Sequence, residues 1–216
     1  MSSVILKRTC MRDQIREALV ARILDGTYPA GTQLKELTLA REFNVSQAPI
    51  REALRELEGS GLVSSERFRG TRVRGADFKE MRESYELRIM LEVRSVQLAL
   101  PYGPKLLSDL DEFLSEMDAA LKNDDQERYI DHALRFHRRL VESSGNRTFL
   151  SVWDSLLWDV RGRIALRRLA ETGKSLRPLV TLHRAVITRL RAQDAAGAGE
   201  RVREILERVS AAFVPA

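Results

Sequence analysis

At 216 residues the chain exceeds the commonest domain size of about 100–150 residues, and its 36 Lys plus Arg against 31 Asp plus Glu give a net charge of +5. Its single cysteine, Cys10, excludes an internal disulfide and a cysteine-rich zinc site, which suits a reducing cytoplasm. Val4-Ile5-Leu6 is too short for the apolar core of a signal peptide, and no run approaches the ~20 apolar residues of a membrane span, so no membrane partner is expected.

The first element is a helix striped by Ile15, Ala18, Leu19 and Ile23 that ends near Asp25-Gly26, with Tyr28-Pro29-Ala30-Gly31 as the turn beyond it. A short amphipathic stretch follows, with Leu39, Ala40 and Phe43 on one side. It breaks at Asn44-Val45-Ser46, where Ser46 stands in position to cap a second helix. There the apolar set is Ile50, Ala53, Leu54 and Leu57, while Gln47, Arg51 and Arg55 share another face at i, i+4, i+8. Two helices with a tight polar joint, the second keeping a polar and partly basic face free, form a helix-turn-helix. Next come a strand over 62–66, a basic tip at Arg67-Phe68-Arg69-Gly70 and a strand over 71–74 that puts Arg72 and Arg74 on one side. Gly70 permits a tight turn or a close phosphate approach. The whole is a winged helix.

Residues 1–74 hold 13 basic against 9 acidic side chains, and residues 75–216 hold 23 against 22. The excess positive charge therefore belongs to the winged helix, where a polyanion would dock. The expected division is a DNA-binding domain over 1–76 and a helical domain over 77–216, mainly α overall. From Asp77, with Glu80 in capping-box spacing, one helix after another is expected: to about Leu100, then 104–122, 124–144, 146–171, 178–193 and 195–213. That is a bundle of about six helices.

Polar residues centred on apolar faces are the informative ones here. On the first helix Leu87, Leu91 and Leu98 make one stripe and Ile89, Val93, Val96 and Leu100 another, with Arg88 and Glu92 between them. His137 is flanked by Ile130, Ala133, Leu134, Leu140 and Val141, and His183 by Leu179, Val180, Val186, Ile187 and Leu190. Three helices thus aim Arg88, Glu92, His137 and His183 inward, as a bundle with an internal site does. Arg88 and Glu92, four apart, have a buried structural pair as the alternative to the favoured ligand contact. His132 falls on the polar face with Arg135 and Arg139, Trp153 belongs to the core, and Trp158 lies off that stripe as a marker of a dimer or domain contact.

The chain resembles GntR-family transcription regulators of the FadR subfamily, with a winged helix followed by an FCD-type ligand domain. The resemblance is carried by Pro29-Ala30-Gly31-Thr32-Gln33-Leu34, by Ser46-Gln47-Ala48-Pro49-Ile50-Arg51-Glu52-Ala53-Leu54 and by Leu57-Glu58-Gly59-Ser60-Gly61-Leu62. Further along it rests on Leu87-Arg88-Ile89-Met90-Leu91-Glu92, Arg135-Phe136-His137-Arg138-Arg139-Leu140 and Ser144-Gly145-Asn146. It implies DNA contacts at Ser46, Gln47, Ala48, Arg51, Arg55, Arg67, Arg69, Gly70 and Arg72, and an effector site at Arg88, Glu92, His137, His183 and Asn146. The family often carries Arg where Gln47 stands and Thr where Ala48 stands. Arginine suits guanine and glutamine suits adenine, so an altered operator preference follows.

Many members hold a divalent metal with one Asp and three His. Ala133 and Ile205 occupy two of those positions, leaving His137 and His183 as an incomplete set able to hold Zn or Ni only weakly. No required cofactor is expected, and Arg88 is implied as the grip on a metabolite carboxylate. The expectation is a cytoplasmic homodimer, not an enzyme, that binds double-stranded operator DNA under control of a small carboxylate effector. The alternatives are a constitutive regulator with a lapsed sensor pocket and, from another class, a helical metal-dependent enzyme fused to a DNA-binding domain.

Overall fold

The computed structural model of the chain describes residues 11–66, 70–74, 78–171 and 175–213. The chain divides into two compact units, Met1–Asp77 and Phe78–Ala216.

In the first unit α1 (Met11–Leu24), α2 (Glu36–Glu42) and α3 (Gln47–Gly59) pack through Ile15, Leu19, Leu39, Ile50, Ala53, Leu54 and Leu57, all buried. Ser46 occupies the N-cap position of α3 with extended backbone, without a side-chain capping bond. Asn44 takes a positive φ of 53° between α2 and α3, a conformation Asn tolerates better than most residues. The wing consists of β2 (Val63–Glu66) and β3 (Gly70–Val73), antiparallel with Ser64 opposite Arg72. A third strand was not anticipated. β1 (Gln33–Leu34) pairs antiparallel with β3, giving the order β1-β3-β2; two residues are too few to show a period of two. Gly70 has φ +77°, and a Cβ there would stand 3.3 Å from Gln33 Nε2, so the wing's return strand needs its glycine. Arg67 and Arg69 lie outside the described residues, as does the Asp77 cap.

The second unit contains α4 (Phe78–Leu98), α5 (Pro104–Lys122), α6 (Gln126–Ser143), α7 (Arg147–Ser155), α8 (Trp158–Glu171), α9 (Arg177–Arg191) and α10 (Ala195–Ser210), closed by a 3-10 turn over Ala211–Phe213. Asp125, Asn146 and Asp194 cap α6, α7 and α10 by accepting first-turn backbone N–H groups. α5 packs on α6 and α9, and α10 on α4 and α9, around one apolar core. The glycines that weaken the start of α10 have a packing reason. A Cβ at Gly197 would meet the Asp194 cap at 2.2 Å, and one at Gly199 would press on Val93 Cγ1 of α4 at 3.2 Å.

Four expectations need correction. The single helix over 146–171 is two, because Leu157 takes a positive φ of 49° between α7 and α8. A leucine in that region is disfavoured by its Cβ, so periodicity gives no hint of the break. The reorientation turns Trp158 wholly inward, and it is a core residue rather than a contact marker. On α4 the stripe of Leu87, Leu91 and Leu98 is only partly internal: Leu91 is buried, but Leu87 and Leu98 are exposed together with Met90 and Leu100. His132 is half-buried rather than solvated. It lies 3.7 Å from Glu116, its Nδ1 is buried without a partner, and burial lowers its pKa.

Candidate functional site

Packing of α3 through Ile50, Ala53, Leu54 and Leu57 leaves Ser46, Gln47, Ala48, Arg51 and Arg55 exposed. Arg51 is not idle. It donates from Nη2 to Glu36 Oε2 at 2.7 Å and from Nε to both carboxylate oxygens at 3.1 Å, a fork-on-carboxylate arrangement at the start of α2. That hydrogen bonding, outweighing partial burial, lowers the Glu36 pKa. On the wing Arg72 is exposed and donates to the Gly31 carbonyl at 3.1 Å. A surface groove at the helix joint is lined by Leu37, Arg41, Asn44, Ser46 and Gln47 among others. Leu37 and Arg41 belong to α2, and sequence reasoning missed them because α2 was read only for its packing face.

In the second unit all four inward polar residues are buried and joined. Glu92 is the hub: it accepts from Arg88 Nε at 2.6 Å, His137 Nδ1 at 2.5 Å and Trp153 Nε1 at 3.1 Å. His137 Nε2 lies 3.3 Å from His183 Nε2, and His183 Nδ1 lies 2.7 Å from the Leu179 carbonyl. The Arg88 guanidinium sits over Trp158 at 4.6 Å and near Tyr85 at 5.6 Å. Arg88, His137 and His183 line a cavity of about 20 Å³ with Tyr85, Tyr129 and a largely aliphatic wall. The Tyr129 hydroxyl is buried with no hydrogen-bond partner. Neither Tyr129 nor Trp158 was singled out as a site residue, since an orphaned hydroxyl and a backbone turn leave no mark in spacing. Asn146 does not line the cavity. Its side-chain oxygen accepts from the Thr148 and Phe149 backbone N–H groups as the cap of α7.

Burial opposes the Glu92 charge, but Arg88 and His137 outweigh it and hold the carboxyl down at about 2. At His137 burial is the larger effect, because Arg88 already neutralises Glu92, and the imidazole pKa is lowered despite its carboxylate partner. Burial, with His137 as a neighbour, pushes His183 down to about 3. The sign follows. A group with a depressed folded pKa stabilises above its unfolded value and loses that stability as pH falls through the folded one. His183 sets a window from about 6.5 down to 3, His137 acts in the same direction below 6.5, and Glu92 adds from 4.5 to 2. The unfolding free energy of the second unit, read from urea titrations, should be level above pH 7 and fall below 6.5, at roughly 1.4 kcal/mol per pH unit for each imidazole that must stay neutral. A level free energy down to pH 5 would show that the imidazoles are not buried neutral.

A resident metal does not fit. Ala133 and Ile205, at the two positions where the resemblance implies an Asp and a His, both line the cavity with apolar side chains. The carboxylate of Glu92 is taken by three donors. Among the described residues no group of three or more His, Cys, Asp or Glu is placed to hold a metal ion, and a tight zinc site needs about three protein ligands. Also among the described residues, no helix is long and apolar enough to cross a membrane.

Comparison with known proteins agrees with this geometry. Residues 11–73 match the family model for bacterial regulatory proteins of the gntR family, and residues 83–208 match the FCD domain. The chain is 29% identical over 211 residues to the probable D-xylose utilization operon transcriptional repressor of Paenarthrobacter nicotinovorans, covering 98% of this chain and 90% of the relative. It is 30% identical to the gluconate operon transcriptional repressor of Bacillus licheniformis, covering 80% and 72%. Among solved structures, E. coli McbR/YncC superposes with a TM-score of 0.77 at 24% identity, covering 95% and 97% of the two chains. A Rhodococcus sp. RHA1 GntR regulator superposes with a TM-score of 0.75 at 23% identity, covering 94% and 96%; both show the shared fold. A helix-turn-helix with a wing, followed in order by an FCD domain, places the chain in the GntR family, FadR-type branch, and it is a DNA-binding transcriptional regulator.

Proposed function

We propose that the chain acts as a cytoplasmic homodimer that binds a two-half-site operator and is controlled by a small carboxylate held at Arg88. Each winged helix sets Ser46, Gln47, Ala48, Arg51 and Arg55 at the major groove, while the wing, with Arg67, Arg69, Gly70 and Arg72, meets backbone or minor groove. Two half-sites call for two copies, and the exposed Leu87, Met90 and Leu98 row of α4 is apolar surface available to a second copy. Effector control follows if ligand prefers one arrangement of the DNA-binding heads.

One observation carries the effector reading: a buried guanidinium lining a cavity whose other polar groups are not all satisfied. The names of the D-xylose and gluconate operon repressors make small oxygenated metabolites the first candidates. The size of the cavity favours a second reading. About 20 Å³ exceeds the ~10–15 Å³ that one water needs but not the volume of a metabolite, so either the aliphatic wall moves on binding or the sensor has lapsed and the regulator is constitutive.

In vitro operator selection tests the DNA half of the proposal. The wild-type chain should select a site with two half-sites, and Gln47→Arg should replace adenine by guanine at one position in each. An unchanged base profile would remove Gln47 from the reading surface.

A further inference from the structure

The hydrogens of the buried cluster can be assigned from chemistry. A carbonyl only accepts, so the 2.7 Å contact to Leu179 requires His183 to carry its proton on Nδ1. Glu92 is an ionised carboxylate held by Arg88 and Trp153, so the 2.5 Å contact requires His137 to carry its proton on Nδ1 as well. Both rings are buried, which favours the neutral form. Each Nε2 is then a bare lone pair, and the two face each other across 3.3 Å. Two acceptors that close lack a donor between them. In the same cavity Arg88 supplies positive charge and the Tyr129 hydroxyl is unpartnered. Buried polar atoms left unmatched in this number call for an occupant.

We propose that the His137 and His183 pair is a two-acceptor receptor for a ligand hydroxyl, so that the effector is a short hydroxy acid with its carboxylate at Arg88 and its hydroxyl proton given to the imidazoles. This rests on the reading of Arg88 as the carboxylate contact. Arg88 and His137 donate to the two oxygens of one carboxylate, Glu92. Both side chains also line the one cavity, so a carboxylate at Arg88 and a hydroxyl at the imidazoles would be carried by neighbouring carbons of one short ligand. An ammonium in place of the hydroxyl would add a second cation beside Arg88 in a buried site, whereas a hydroxyl brings a donor with no charge to desolvate. The wall of Leu134, Leu166, Leu179 and Leu206 must yield to any ligand, and every further carbon displaces more of it, which favours a short frame.

Calorimetric titration of the full chain with 2-hydroxybutanoate, 3-hydroxybutanoate, butanoate and 2-aminobutanoate separates the possibilities. One of the hydroxy acids should bind at least about tenfold tighter than butanoate, the scale of one or two hydrogen bonds to buried partners. Within the His183→Phe variant the hydroxy acids should bind no tighter than butanoate. Equal binding of butanoate, or tighter binding of the amino acid, would overturn the hydroxyl assignment and leave Arg88 as a carboxylate site. Binding of none of the four would overturn both. Nitrogen NMR of the wild-type imidazoles checks the premise without a variant: both Nε2 atoms should be unprotonated at neutral pH and move on adding the hydroxy acid, and a protonated His137 Nε2 would overturn the receptor.

Discussion

Glu92→Ala should lower the stability of the second unit by about 3–5 kcal/mol, the range for removing one member of a buried ion pair. The carboxylate accepts from Arg88, His137 and Trp153, and its loss strands a guanidinium only 2% exposed. Glu92→Gln should lose less, because its oxygen can still accept from Arg88 while its amide group opposes the His137 Nδ1 proton. Arg88→Met combined with Glu92→Leu should recover much of the loss, since a well-packed apolar pair replaces two desolvated charges. Urea unfolding followed by tryptophan fluorescence is the measurement. Both tryptophans, Trp153 and Trp158, belong to the second unit, so the signal is free of the winged helix. If Glu92→Ala unfolds at the wild-type midpoint, the cluster is not paired in solution.

Much of this cluster was legible in the sequence because charge in the middle of an apolar stripe is a conflict that folding must resolve. Arg88, Glu92, His137 and His183 each sit at such a point, and the structure joins them in one network. What periodicity could not show was the partnering. Three donors converge on Glu92 from α4, α6 and α7, and Trp153, read only as core, is one of them. Trp158 was misplaced because the turn at Leu157 resets the helical phase. Leu87 and Leu98 stand in helical register with the buried Leu91, yet their own face of α4 is exposed, which register alone does not reveal. Asn146 sits in a stretch of family resemblance, but its side chain caps α7. The helix-turn-helix was the easiest element to read, since its two faces have different chemistry and its joint is short. β1 escaped because a two-residue strand is defined by its partner rather than by its own pattern.

Arg51→Ala should weaken operator binding about ten- to a hundredfold at fixed salt, the discrimination scale of one bidentate arginine. In the free protein its fork is filled by Glu36, an exposed pair that counts for little in stability but matters for recognition. The carboxylate fixes the guanidinium through these contacts, and it also competes with the nucleic acid for the same donors. Docking must exchange one acceptor for another. If competition dominates, Glu36→Gln tightens binding severalfold, and the gain vanishes in the Arg51→Ala background because nothing remains to be released. If Glu36 acts only as a negative charge near phosphate, the gain is the same in both backgrounds and shrinks as salt is raised. Fluorescence anisotropy on the selected operator, with wild type, the two single variants and the double variant at two salt concentrations, separates these outcomes. Wild-type affinity in Arg51→Ala would remove this residue from the interface and move the reading surface toward Gln47 and Arg55, the other exposed polar residues of α3 on that face.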